Sequence, residues 1–196
     1  LTQNDSGKTL KINVTQAAAE KPFVTISLIG DSSRQQQSAT MNKKGCNYSC
    51  PSGNAIMAMY MGGDENGKFQ FWYAPLIPEG GQSGVNVTYG GETQTVTTST
   101  KNGERLNVPA GSVVTGIYCT SVENGYFALK YRPVYINGEL VSTPSACGGA
   151  SDTCNTKSCG CWVRCSFNPF TGMVMEGDEN GCVYSFWGKP TASVRL

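Results

Sequence analysis

The 196-residue sequence contains no histidine. That absence excludes Ser/His/Asp and Cys/His nucleophilic machinery and any His-bearing zinc site. Charged residues make up only 15% of the chain, and the net charge of +1 leaves no basic excess for a nucleic-acid partner. No Lys/Arg-rich run is present. Long apolar runs are missing as well: the longest, Phe23–Ile29, has the length of a strand and falls far short of a membrane span. Helical periodicity is almost absent, with one short helix-forming stretch, Thr15–Glu20, stopping at Pro22. The chain opens at Leu1 without a signal peptide, so it is expected to be a processed chain or an excised fragment.

Glycine is plentiful, at 24 residues, with three Trp, nine Tyr and seven Phe to supply apolar area. Many turns and short strands follow. Nine cysteines are present. Those from Cys147 to Cys182 crowd a Gly/Ser/Asn-rich stretch that has too little apolar content to build its own core. Disulfides are the expected source of order, through Cys46, Cys50, Cys147, Cys154, Cys159, Cys161, Cys165 and Cys182. Zinc is the rival, but the spacing Cys154-x4-Cys159-x-Cys161-x3-Cys165 fits structural zinc sites poorly. Disulfides place the chain in an oxidising compartment, extracellular or cell-surface. Nine is odd, and Cys119, isolated in a strand-like run, is the expected free or interchain thiol.

The chain repeats itself about every 57 residues. Copy one runs from Pro51-Ser-Gly53 through Ala58 and Gly63-Asp64-Glu65-Asn66-Gly67 to Phe71-Trp72-Tyr73. Copy two runs from Pro109-Ala-Gly111 through Gly116 and Glu123-Asn124-Gly125 to Tyr131-Arg132-Pro133. Copy three keeps Gly172, Gly177-Asp178-Glu179-Asn180-Gly181 and Phe186-Trp187. An apolar run, an Asn-Gly turn and an aromatic run predict a β-hairpin in each copy. The small residue of the first strand predicts a bulge or a close backbone approach. Two more hairpins are predicted, Val85–Val96 turning at Gly90-Gly91 and Val134–Val141 turning at Asn137-Gly138. Residues 1–45, where Thr9–Val14 and Phe23–Ile29 alternate, form an expected N-terminal β segment. Residues 46–196 form the three-copy region, with copies near 50–76, 108–134 and 165–190. The predicted fold is all-β: a disulfide-stapled, short-strand sandwich or a prism-like assembly of hairpin repeats.

Cys50-Pro51-Ser52-Gly53, followed by Gly67-Lys-Phe69-Gln-Phe71, resembles the Cys-Pro-x-Gly…Asn-Gly units of bacterial extracellular adhesin modules, including pilus-tip adhesins and distal domains of phage tail fibres. The resemblance spans residues 46–76 and 105–135 and extends to 161–190. It implies surface recognition.

Trp72, Tyr73, Tyr131, Arg132 and Trp187 are the candidate ligand-binding residues, since aromatics and flanking cations anchor recognition surfaces. Trp162, among the cysteines, is expected to cover a disulfide. Asp64, Glu65, Asp178 and Glu179 are candidate calcium ligands, although they lack the alternating oxygens of a dedicated loop and read first as solvated hairpin tips. No cofactor is implied. No catalytic constellation is visible, and an enzyme is not expected. The sequence therefore predicts an extracellular recognition or adhesion module for a cell-surface glycan or protein receptor. The alternative is a structural subunit of an extracellular filament, pilus or virion fibre that associates with itself. Neither nucleic acid nor membrane insertion is expected.

Overall fold

Asn-Gly turns between apolar runs of strand length leave hairpins as the economical local structure. In a computed structural model, described for residues 17–64, 66–155, 160–177 and 181–196, nearly all regular structure is β. After β1 (Phe23–Gly30) and a 3₁₀ turn at Ser32–Arg34, the first unit comprises β2 (Gln36–Gln37), β3 (Met41–Asn42), β4 (Cys46–Ser49) and the hairpin β5 (Ala55–Gly62) and β6 (Lys68–Ala74). β7 (Leu76–Pro78) and β8 (Val87–Tyr89) lead to the second unit: β9 (Thr93–Gln94), β10 (Thr98–Ser99), β11 (Asn102–Asn107) and the hairpin β12 (Ser112–Cys119) and β13 (Tyr126–Ile136). β14 (Glu139–Leu140) precedes the third: β15 (Ser145–Asn155), β16 (Cys161–Arg164) and the hairpin β17 (Phe170–Glu176) and β18 (Cys182–Gly188), before β19 (Thr191–Arg195) closes the chain.

The repeat is thus larger than its hairpin. In each unit an outer strand comes first and pairs with the second hairpin strand of the same unit. The pairs are Gln37↔Trp72 and Met41↔Phe69, then Gln94↔Lys130 and Thr98↔Phe127, then Gly148↔Phe186 and Cys154↔Val183. A lead strand comes next, and it pairs outside its own unit. β4 joins the first strand of hairpin two, β11 that of hairpin three, and β16 that of hairpin one. Each unit therefore gives a strand to the next, and the third gives one back to the first. The three first strands β5, β12 and β17 also contact one another pairwise. Three hairpin sheets and a fourth of β19, β1 and β7 make the protein all-β, consistent with the predicted sandwich or prism-like assembly.

The internal symmetry extends to irregularities. Each first strand carries one extra residue, at Met57, Thr115 and Thr171, immediately before the small residue Ala58, Gly116 or Gly172. The small residue has a cause: a Cβ on Gly116 would collide with the Tyr48 carbonyl of the donated β4, and one on Gly172 would lie 2.6 Å from Asn107 Oδ1 and 2.9 Å from the Leu106 carbonyl of β11. The Asn-Gly glycine has a cause too. A Cβ at Gly67, Gly125 or Gly181 would meet the carbonyl of Gly62, Ser121 or Glu176 across the tip.

Inward-facing residues of all three units share one core, with Met59, Met61, Phe69 and Phe71 meeting Ile117, Cys119, Phe127 and Leu129, and Met173, Met175 and Val183. A second cluster gathers Ile26, Leu28, Leu76, Val134, Ile136 and Val194. There β1 pairs with β19 (Ile26↔Ala192) and with β7 (Ile29↔Ile77), so the first described strand is tied to the last. The predicted partner of Phe23–Ile29, Thr9–Val14, lies outside the described residues. The turn at Asn137-Gly138 forms as predicted, with positive φ at both residues and Tyr135 opposite Leu140. The predicted Val85–Val96 hairpin does not form: β8 and β9 each dock on β13, which offers a longer partner than either offers the other.

Candidate binding face

Because side chains alternate along a strand, Met59 and Met61 point to the core and Ala58 and Tyr60 point outward. Register places Trp72 of β6 beside Ala58, Arg164 of β16 on its other flank, and Trp162 beside Tyr60. Trp162 meets Tyr60 at 5.4 Å and Trp72 at 5.9 Å between ring centroids, the latter edge to face at 78°. Ala58 is too small to fill the gap between its neighbours. A cleft of about 280 Å³ opens there, lined by Gln35, Ala58, Trp72, Trp162 and Arg164. A contiguous depression of about 290 Å³ shares Gln35, Ala58 and Arg164 and adds Met57, Ser166 and Phe167. Trp162 is 40% and Phe167 36% exposed, so both large rings face solvent. Phe167 sits at φ 61°, a conformation uncommon for a bulky residue, and its carbonyl accepts from the Gly30 amide at 2.8 Å. The Cys147–Cys165 disulfide ties down the chain immediately beyond Arg164.

At the equivalent faces of the other units a cation takes or covers the position of the ring, although a depression of about 230 Å³ lies beside Arg105 and Phe186 in unit three. In unit two, Lys130 stands where Trp72 stands, and its ammonium donates to Asn47 Oδ1 at 2.5 Å and Ser49 Oγ at 3.1 Å. In unit three, Phe186 takes that position, but the Arg105 guanidinium covers its ring at 3.5 Å while donating to Asn107 Oδ1 at 2.8 Å. Among the described residues, unit one is the one whose rings at this position no cation covers, and no acidic residue lines its cleft or the adjoining depression.

Of the predicted ligand residues, only Trp72 belongs to this cleft. Tyr73 is half-buried and donates to Gln36 Oε1 at 3.1 Å. Tyr131 packs against the core, and Arg132 donates to the Gly90 carbonyl at 2.9 Å in unit two. Trp187 is a correction: it is fully buried against Phe170, centroids 5.0 Å apart, because its register position faces inward. Trp162 is another, turning away from the sulfurs as a wall of the cleft. Its signal was present: in Cys161-Trp-Val-Arg-Cys165 the odd positions are apolar or sulfur-bearing and the even ones are Trp and Arg. Tyr60, Gln35 and Arg164 gave no comparable motif.

At the first hairpin tip, Asp64 Oδ1 accepts from the Asn66 amide at 3.1 Å. The ammonium of Lys43, a fully buried residue, donates to the carbonyls of Gly63 at 2.8 Å and Asp64 at 3.4 Å. A side-chain cation therefore sits against two carbonyls of this tip. Burial lowers the Lys43 pKa. Glu65, Asp178 and Glu179 lie outside the described residues.

Among the cysteines, Cys147 and Cys165 are joined, while Cys46, Cys50, Cys119, Cys154, Cys161 and Cys182 stand as thiols and Cys159 lies outside the described residues. Cys119, expected to be free or interchain, is fully buried and has no surface from which to reach another chain. Burial pushes the thiols of Cys50, Cys119 and Cys154 up to about 12 and that of Cys46 to about 11. Among the described residues no cluster of three or more His, Cys, Asp or Glu is arranged to hold a metal, and no helix is long and apolar enough to cross a membrane.

No protein-family model, curated protein or solved structure matches the chain.

Proposed function

We propose that this chain is an extracellular recognition module that binds an acidic saccharide on the open face of unit one. The observation that carries the reading is the contrast among three equivalent faces: two satisfy their own polar or aromatic groups, and one leaves Trp72, Trp162 and Arg164 unfilled around Ala58. Uncovered indole rings offer flat apolar surface to the C–H face of a sugar, while Gln35 supplies amide donors and acceptors. Arg164, with no carboxylate in the lining, favours a ligand that brings one, as a planar guanidinium matches a carboxylate with two parallel hydrogen bonds. The cleft lies at the lower bound of small-ligand sites, about 300 Å³, so it suits one ring with the chain continuing toward Phe167. The cysteine content supports an oxidising location. The lining holds no carboxylate pair and no nucleophile beside a base, which supports binding over catalysis.

The test is a titration with sialyllactose, oligoglucuronate and neutral lactose, followed by tryptophan fluorescence and by isothermal calorimetry. An acidic sugar is expected to bind and lactose to bind more weakly. Trp162→Ala should reduce affinity at least tenfold. Arg164→Gln should remove the preference for the acidic sugar and its salt dependence, an effect of about 3- to 10-fold for an exposed cation. Silence across an acidic and neutral glycan array, from protein with an intact near-ultraviolet spectrum, would overturn the proposal. Concentration-dependent self-assembly abolished by Trp162→Ala would assign the face to filament formation instead.

A further inference from the structure

We infer that in an oxidising compartment the thiols of Cys46 and Cys119 are joined as a disulfide that fastens the lead strand of unit one to the hairpin of unit two, while neighbouring Cys50 stays a thiol.

The register places Cys46 directly opposite Cys119 across the antiparallel pair β4/β12. The Gly45 amide donates to the Thr120 carbonyl at 3.0 Å, and the Cys46 amide turns away to the Lys43 carbonyl at 3.3 Å. Cys46–Cys119 is therefore a pair that does not exchange backbone hydrogen bonds, the class in which opposed Cα atoms approach to about 4.5 Å and side chains come closest. That spacing falls inside the range of about 4.4–6.8 Å a disulfide requires. Both side chains point into the same core, at 3% and 0% exposure, so the two sulfurs share one side of the sheet.

The other units make the pairing specific. Cys161 occupies the position of Cys46 at the start of the lead strand β16, but its partner is Met61. Met61 and Met175 stand where Cys119 stands, so the position normally carries a long apolar side chain. Unit two alone has cysteine on both sides. Cys161 hydrogen-bonds instead with Cys154, near Cys182. Cys50 has a different setting: its thiol donates to the Asn54 carbonyl at 3.4 Å, and the charged groups facing it are Glu92 and Arg132.

Formation breaks two S–H bonds and makes one S–S bond. The electron pair breaks the S–S bond of a small disulfide oxidant by way of a mixed disulfide, and the two protons end on its sulfurs, so it leaves as two thiols with no net proton released. The exchange needs a thiolate, and burial raises both thiols far above neutrality. The bond therefore forms while β4 is still open, during folding.

The experiment uses the full chain produced in an oxidising compartment, unfolded in the presence of iodoacetamide without reductant, digested with trypsin and read by mass spectrometry. No Lys or Arg separates Cys46 from Cys50, so both fall in the peptide 45–68, while Cys119 lies in 106–130. The expected product is 45–68 joined to 106–130, with the alkyl group on Cys50 located by fragmentation. The link should persist in Cys50→Ser and vanish in Cys46→Ser. Reduction of the intact protein should lower Tm by roughly 10 °C more in Cys50→Ser than in the double variant Cys46→Ala with Cys119→Val. Alkylation of both Cys46 and Cys119, or a link carried by Cys50, overturns the inference. Fragmentation of the wild-type peptide decides the matter even if a variant fails to fold.

Discussion

Ser185 shows how one residue can depart from an otherwise repeated plan. It lies opposite Met173 as Phe71 lies opposite Met59 and Leu129 opposite Ile117, so the three are equivalent inward positions. Phe71 and Leu129 fill the core there, whereas the Ser185 hydroxyl is fully buried without a hydrogen-bond partner among the described residues. An unpaired buried hydroxyl costs about 1–3 kcal/mol. Ser185→Ala removes that cost without adding volume, and urea unfolding should show a gain of about 1 kcal/mol. A loss of stability would mean that the hydroxyl is paired in solution. The same strand shows why Trp187 misleads a reader of the sequence. Phe186-Trp187 matches Trp72-Tyr73 in the repeat, yet adjacent strand residues face opposite ways, and only the register tells which of the two is exposed.

At the scale of elements, the 3₁₀ turn Ser32–Arg34 fixes the rim of the cleft, because Gln35 follows it directly. Asp31 caps the turn, accepting from the Ser33 hydroxyl at 2.6 Å, from Arg34 Nε at 2.6 Å and from the Ser33 amide at 3.0 Å. The Ser33 hydroxyl first, then Arg34, hold its carboxyl at about 2, below the ordinary 3.8. A carboxyl lowered by folding contributes stability present above pH 3.8, and that contribution is lost as pH falls through about 2. The Ser33 amide resonance should therefore titrate with a midpoint near pH 2, and Asp31→Asn should abolish the step. A midpoint at the ordinary carboxylate value would show the cap to be open in solution. The hairpins were legible in the sequence, since Asn-Gly turns and alternating runs are local signals; so were the bulges, through Ala58, Gly116 and Gly172. The lead strands were not. A strand such as β4 or β16 has four residues, and nothing in so short a segment names a partner in another repeat. The cleft was hidden for the same reason, because Trp162 and Arg164 reach Trp72 only through that exchange.

For the whole molecule, strand exchange makes the repeats interdependent in an order that contradicts the order of the chain. Val163 lies seven positions before hairpin three, yet it pairs with Met59 of hairpin one and is only 5% exposed. Val163→Ala should cost about 1–2 kcal/mol, from methyl groups lost with partial relaxation of the core. The location of the damage is more informative than its size. Local opening reports the stability of contiguous cooperative units, so hydrogen exchange under native conditions should speed first at the amides of β5, including those near Met59 and Met61. Amides of β17 near Met173 and Met175 should be affected less, although they are closer in sequence, because their lead strand is β11 from unit two. Preferential loss of protection in β17 would show that β16 serves its own hairpin, and would remove the arrangement that brings Trp162 and Arg164 to Trp72. Preferential loss in β5 would tie the integrity of the binding face to a strand borrowed from the far end of the chain.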